Sequence, residues 1–296
     1  MTTTTTAPLA DSLEHIGKDT GTPLTVVLSN ELVRLLSESL YQTPLKAIEE
    51  LVVNAYDAEA PECRVFVPEP GDQVRRFVAV YDNGVGMDRS GLEDLWHVGN
   101  SHKRDNEAEI ERRSKRRQIG KFGIGKLATY AIANKVTYLS RKNGDILGVT
   151  VDFAQFKPST TATEANKPVE LVVRRIANWN DLAEDESFKN ACMGCGVDPQ
   201  VLLTPDKVRP DTGQAKLSWT FAILEDLKQS KRAAIRMSRL QWVLSTAMPL
   251  VSGFSLYLNT KLVESSKSKY QPLVSFPVTD LSDKRLKELG QMTGEE

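Results

Sequence analysis

The chain predicts a layered α/β domain, with one sheet carrying its helices on one side. Three observations support this. The β-rich runs outnumber the helical ones, and they do not alternate strictly with them, which argues against a doubly wound fold. At 296 residues and 40% apolar content, the chain can bury a substantial core, enough for one large α/β domain or two small ones. No internal repeat divides it.

Taken in order, residues 1–23 begin "MTTTTTAPLADS" and read as a disordered tail containing His15. The tail lacks a basic region followed by an apolar core, so it is not a secretory signal. Residues 24–40 carry apolar positions at mixed spacing and look mostly helical. A second helix starts near "TPLKAIEE", with Thr43 as cap and Pro44 at the first helical position. "CRVFV" and "FVAVYD" are strands joined by a Pro/Gly turn, and "SGLEDLW" is a short helix capped by Ser90. Residues 104–118 are a dense charge run, and "GKFGIGKLATYAIAN" is a glycine turn entering a helix. Strands recur in "KVTYLS", "ILGVTVDF", "VELVVRRI", "KLSWTFAIL" and "SLYLNTKLV". Among them lie a polar loop, "KPSTTATEANKP", and an irregular insertion over 178–212; "SKRAAIRMSRLQWVLSTAM" is the last helix. The expected organisation is a tail (1–23), a domain (24–265) and a tail or the start of a further domain (266–296).

Composition excludes several classes. A net charge of −1 gives no global pull toward nucleic acid or an acidic membrane, and leaves nucleic acid open as a partner. Cys63, Cys192 and Cys195 do not make a secreted disulfide framework. No apolar run approaches the roughly 20 residues that span a bilayer. A reducing, cytoplasmic location is the expectation.

The stretch "EELVVNAYDA" places Glu50, Asn54 and Asp57 at i, i+4 and i+7, on one helix face. Leu45, Ile48, Leu51, Val52 and Ala55 occupy the adjoining face. A merely solvated face favours Lys, Glu or Gln, because Asn and Asp form helices poorly. A carboxylate can take a proton from an attacking water. An Asn carbonyl suits Mg²⁺, which keeps several waters and takes few protein ligands.

In "VYDNGVGMD", Asp82 ends a strand, and Gly84 and Gly86 allow a tight turn and a close approach by a ligand. The carboxylate can accept from an exocyclic amine while Met87 packs on a flat ring. A plain Asp-Asn-Gly turn is the competing explanation. In "IGKFGIGKLATY", backbone amides at a glycine turn before a helix make an anion site. Gly120, Gly125 and Lys126 also fit G-x-x-x-x-G-K, but Leu127 stands where a P-loop needs Ser or Thr and no strand precedes, so that motif is rejected.

Together and in this order, the three stretches resemble the N, G1 and G2 boxes of the GHKL ATPases. That superfamily includes gyrase B subunits, ninety-kilodalton heat-shock chaperones, sensor histidine kinases, MutL mismatch-repair proteins and MORC proteins. The resemblance covers roughly residues 24–265 and is closest to the lidded chaperone, MutL and MORC types. It implies the Bergerat fold: a mixed, largely antiparallel sheet with helices on one face and ATP between the helices and a lid. It implies Glu50 as general base, Asn54 as the Mg²⁺ ligand and Asp57 as support for the nucleotide pocket. Asp82 would accept from the adenine amino group, with Gly84, Gly86 and Met87 around the base. Gly120, Lys121, Phe122, Gly123, Ile124, Gly125 and Lys126 would close over the phosphates. Ser101 and Lys103 would be phosphate or lid contacts, and residues 104–118 would belong to the lid, most of their charges solvated. "SWTFAILEDL" resembles the strand whose Thr reaches adenine through water, which places Thr220 in the pocket. Many relatives have Gly where this chain has Trp219.

"CMGC" has metal-ligand spacing, but zinc needs two more ligands, and His97 and His102 lie at least 90 residues upstream, so a pair of cysteines without a metal is the better expectation. Trp179, Trp219 and Trp242 read as core or partner-facing, with no stacking series for single strands. The function implied is a Mg²⁺-dependent ATPase with slow turnover, whose lid closure drives homodimerisation or rearranges a partner protein. Two alternatives stay open: a histidine-kinase-like phosphotransferase, which lacks a phosphoacceptor hairpin here, and a nucleotide-gated module that never hydrolyses.

Overall fold

The computed structural model describes residues 7–26, 43–69, 71–72, 75–96, 116, 119–120, 125–155, 169–205, 217–250 and 253–269. The helices are α1 (Leu9–Ile16), α2 (Pro44–Asp57), α3 (Arg89–Trp96), α4 (Trp179–Glu184), α5 (Glu186–Cys195), α6 (Pro199–Leu202), α7 (Gln229–Ala234) and α8 (Met237–Ala247). The strands are β1 (Gly17–Asp19), β2 (Leu24–Val26), β3 (Glu62–Phe66), β4 (Val78–Asp82), β5 (Ala133–Lys142), β6 (Asp145–Asp152), β7 (Val169–Leu171), β8 (Val173–Ile176), β9 (Trp219–Leu227), β10 (Ser255–Leu258) and β11 (Lys261–Leu262). Nine of the strands form one sheet in the order β1-β8-β6-β5-β9-β4-β3-β10-β11. Every described pairing in it is antiparallel except β10 with β3, so the sheet is mixed and largely antiparallel as expected. β2 and β7 make a separate antiparallel ribbon.

Side chains alternate across a strand, and here the alternation feeds two cores. Val78 and Val80 of β4, Val136 and Tyr138 of β5, and Ala222 and Leu224 of β9 pack with Ile48, Leu51 and Val52 of α2. Ala79, Tyr81, Leu139, Phe221 and Ile223 pack on the opposite face with Leu9 and Leu13 of α1 and Phe188 of α5. The expected helix layer is α2 with α7 and α8, and the other face is covered as well. Helix α2 forms because its apolar stripe is buried: fully burying one such side chain contributes about 1.5–3 kcal/mol. That outweighs the roughly 0.7 kcal/mol or less lost by placing Asn or Asp in a helix.

Several expectations need correction. Residues 9–19 are not a tail: Leu9 and Leu13 are buried, and β1 pairs with β8, so the domain begins well before residue 24. The Glu225 carboxylate, reaching from β9, accepts from Leu9 N at 2.6 Å and Ala10 N at 3.1 Å and so caps α1. Residues 24–26 are a strand; the rest of the helix expected over 24–40 lies outside the described residues. Residues 179–184, 186–195 and 199–202 are helical rather than irregular, with the side chains of Asn178, Asp185 and Asp198 capping α4, α5 and α6. Thr43 occupies the N-cap of α2 without a side-chain capping bond. Asp88, not Ser90, caps α3, accepting from Gly91 N at 3.0 Å. The glycine turn enters a 3₁₀ segment, Gly125–Ala131, rather than an α-helix. The polar loop 157–168, the end of the insertion (206–212) and residues 270–296 lie outside the described residues.

Candidate functional site

The last turn of α2 is where the pieces meet. The Asp57 carboxylate accepts from Ile119 N at 2.9 Å through one oxygen and from Gly120 N at 3.0 Å through the other. A Cβ at Gly120 would lie 2.6 Å from that carboxylate, so the close approach requires glycine. One residue on, the Ala58 carbonyl accepts from Val85 N at 3.0 Å. The turn after β4 is thereby docked against the same helix end. Gly86 sits at φ +63°, and a Cβ there would come within 2.2 Å of the Arg141 carbonyl.

Asp82 is the last residue of β4 and falls, by strand parity, on the α2 face. Its carboxylate is buried, with Oδ1 accepting from Gly84 N at 2.9 Å. Burial pushes its pKa up to about 7, against the opposing pull of the Gly84 amide. Its register partner on β9 is Thr220, and Thr220 in turn pairs with Ser140 of β5. The Ser140 hydroxyl lies 3.0 Å from Thr220 Oγ1, donates to the Trp219 carbonyl at 3.0 Å and accepts from Met87 N at 2.7 Å. Three neighbouring strands thus present one polar row, Asp82–Thr220–Ser140, at the base of the turn that carries Gly86 and Met87. Trp219 does not intrude. It is fully buried and packs with Phe188 and Phe221 on the opposite face.

On α2, Glu50 is partly open, with its side chain 22% exposed and Lys46 Nζ 3.4 Å away; Lys46 also bonds Glu49 at 2.7 Å. Burial pulls the Lys46 pKa down, but its bonds to Glu49 and the charges of both carboxylates leave it raised. Asn54 is exposed one turn beyond Glu50. Helix α2 therefore presents a half-buried carboxylate beside Lys46, an exposed carboxamide, then a carboxylate engaged with the glycine segment.

Of the charge run, Arg116 is described and is half-buried. Its guanidinium donates to the carbonyls of Ala60, at 2.8 Å, and Gly253, and lies 5.2 Å from the Tyr56 ring centroid. Ser101, Lys103, Lys121, Phe122, Gly123 and Ile124 lie outside the described residues, as does the side chain of Lys126; Gly125 opens the 3₁₀ segment. Cys192 and Cys195 are buried thiols, and among the described residues no group of three His, Cys, Asp or Glu could hold a metal ion. His15 lies on α1, across the sheet from Glu50. Among the described residues no helix is long and apolar enough to cross a membrane. Ser140 is one residue that sequence reasoning missed, because a serine inside a strand carries no signal until the register is known.

A family model described as histidine kinase-, DNA gyrase B- and HSP90-like ATPase matches residues 41–187, which hold all three motif stretches. HgiDII of Herpetosiphon aurantiacus, named as a candidate type II restriction enzyme, is 32% identical over 159 residues, 48% of this chain and 24% of that protein. The chaperone protein HtpG of Chromobacterium violaceum is 29% identical over 182 residues, 54% of this chain and 28% of the chaperone. HtpG of Polaromonas naphthalenivorans is 29% identical over 131 residues, 38% of this chain and 21% of the chaperone. The match thus spans about a quarter of each relative's length.

Proposed function

We propose, from the premise that the chain belongs to the GHKL ATPase superfamily, that it binds ATP with Mg²⁺ and hydrolyses it slowly. Closure of the glycine segment over the phosphates would drive dimerisation or rearrange a partner. One observation carries this reading: both glycine stretches are tied to the last turn of α2, through Gly120 N on Asp57 and Val85 N on the Ala58 carbonyl. In this reading, segments far apart in sequence would make one site, with Asp82 and Thr220 at the base end and Glu50 on the helix that joins both glycine stretches.

In this site Asp82 would accept from the adenine amino group and Thr220 would support it. Glu50, partly open to solvent, would take the proton from the attacking water, a contribution of about 10²–10⁴-fold in rate. Asn54 would offer Mg²⁺ a single oxygen, with phosphate oxygens and water completing its shell; this donor set suits Mg²⁺, which takes few protein ligands. The ion would supply charge neutralisation at the phosphates. The test is thermal stability in the presence of Mg²⁺ with ATP, ADP or GTP. Ligand at about 100 times its dissociation constant adds about 2.7 kcal/mol, so adenine nucleotides should raise the melting temperature clearly and GTP should not. Equal stabilisation by GTP would remove the role given to Asp82. The absence of any shift would favour a module that needs a partner to bind.

A further inference from the structure

We infer that Ser140 sets the direction of the Thr220 hydroxyl, so that the base end of the pocket offers only acceptors and selects a 6-amino purine over a 6-oxo purine. The inference rests on the adenine-nucleotide reading above and deepens it.

A serine hydroxyl has one proton and two lone pairs. One lone pair of Ser140 is taken by Met87 N–H at 2.7 Å. The Trp219 carbonyl, 3.0 Å away, can only accept, so the Ser140 proton goes there. Thr220 Oγ1 lies 3.0 Å from Ser140 Oγ and faces its remaining lone pair. The Thr220 proton is therefore the one shared between them, and Thr220 keeps only lone pairs for a ligand. Ser140 is fully buried, so water does not relieve the constraint. Next along the row, the Asp82 carboxylate accepts from Gly84 N through Oδ1 and, when ionised, is likewise an acceptor.

A pair of acceptors fits an exocyclic amine, with two protons to give, directly or through water. It repels an oxo group, which brings only lone pairs. The opposite arrangement turns the Ser140 proton to Thr220 and the Thr220 proton outward. It gives up the Ser140 bond to the Trp219 carbonyl, a loss of one buried hydrogen bond. Ser140 is thus a positioning residue: it acts on the base through Thr220.

The test compares binding of ATP and ITP, which differ at the 6-substituent and in the proton that the 6-oxo base carries on N1, by calorimetry at pH 8 with Mg²⁺, where Asp82 is mostly ionised. The wild type should prefer ATP by on the order of 100-fold or more, since sites built around hydrogen bonds reject mismatched groups strongly. Ser140→Ala should cut that ratio by about tenfold, one hydrogen bond's worth. Thr220→Val should cut it similarly, and the double variant no further than Thr220→Val alone, as for residues acting through one another. A general loss of packing would weaken both nucleotides and leave the ratio alone. The inference is overturned by a wild-type ratio in Ser140→Ala, or by effects that multiply in the double variant. It is also overturned by a wild-type ratio in Thr220→Val, which holds even where Ser140→Ala does not fold. A wild type that binds neither nucleotide overturns the adenine reading itself, a result separable from a wild type that binds ATP without discriminating.

Discussion

Asp82 is buried, with one oxygen committed to the Gly84 amide and the strand ladder fixing its direction toward the α2 face. Replacing one oxygen with an NH₂ group turns an acceptor into a donor at the point where an amine would bind. Asp82→Asn should therefore abolish ATP binding in calorimetry while leaving a folded protein; retained affinity would place the base elsewhere. Asp82 at a strand end, Gly86 in a tight turn and Asp57 on the last turn of α2 were legible in the sequence because a short local pattern marks each of them. Gly86 needs its positive φ and lies against the Arg141 carbonyl, so its turn can be read without knowing what it packs on. Ser140 and Arg116 were not legible. The first acquires its role from the register of three strands, and the second sits inside a run of charges that resembles solvent-exposed loop.

At the scale of elements, the contact of α2 with the glycine segment is the join on which the site depends, and Asp57 makes it with both carboxylate oxygens. Asp57→Asn keeps one acceptor and sets an NH₂ against a backbone N–H. A hydrogen bond to a charged group is worth about 1.5–3 kcal/mol, so hydrogen exchange at Ile119 and Gly120 should speed up by at least about tenfold without nucleotide. Unchanged exchange would show that the segment is held by something other than Asp57. The strands and α2 were readable from periodicity. The helices α4–α6 were not, because each is short, with at most the 10 residues of α5, too few for a 3.6-residue period to emerge. Their starts were marked all the same, by Asn178, Asp185 and Asp198-Pro199 in capping positions. What holds them to the sheet is non-local: the buried Arg141 guanidinium donates to the Leu202 and Thr204 carbonyls and lies 4.5 Å from the centroid of the Trp179 ring.

Across the whole molecule, one sheet separates two cores, and α1 closes the core that faces away from the site. Its latch is pH-sensitive. Burial raises the Glu225 pKa from 4.5 to about 7, against the pull of the Leu9 and Ala10 amides; Asp11 adds to the rise and Lys135 opposes it. Folding thus favours the protonated form. That stabilisation is complete below about 4.5 and is lost as the pH climbs through about 7. Glu225→Gln cannot ionise, so between pH 6 and 8 it should lose less stability than the wild type, by on the order of 1 kcal/mol per pH unit. Parallel denaturation curves at both pH values would assign the titration to another group. The central claim is that this sheet and helix layer form a hydrolysing nucleotide site with Glu50 as its base. The most direct measurement is ATP turnover, taken beside ATP binding, in the wild type and in Glu50→Ala. The variant should bind ATP like the wild type and turn it over at least about 100-fold more slowly. Turnover at the wild-type rate would contradict the assignment of Glu50 and, with it, the mechanism.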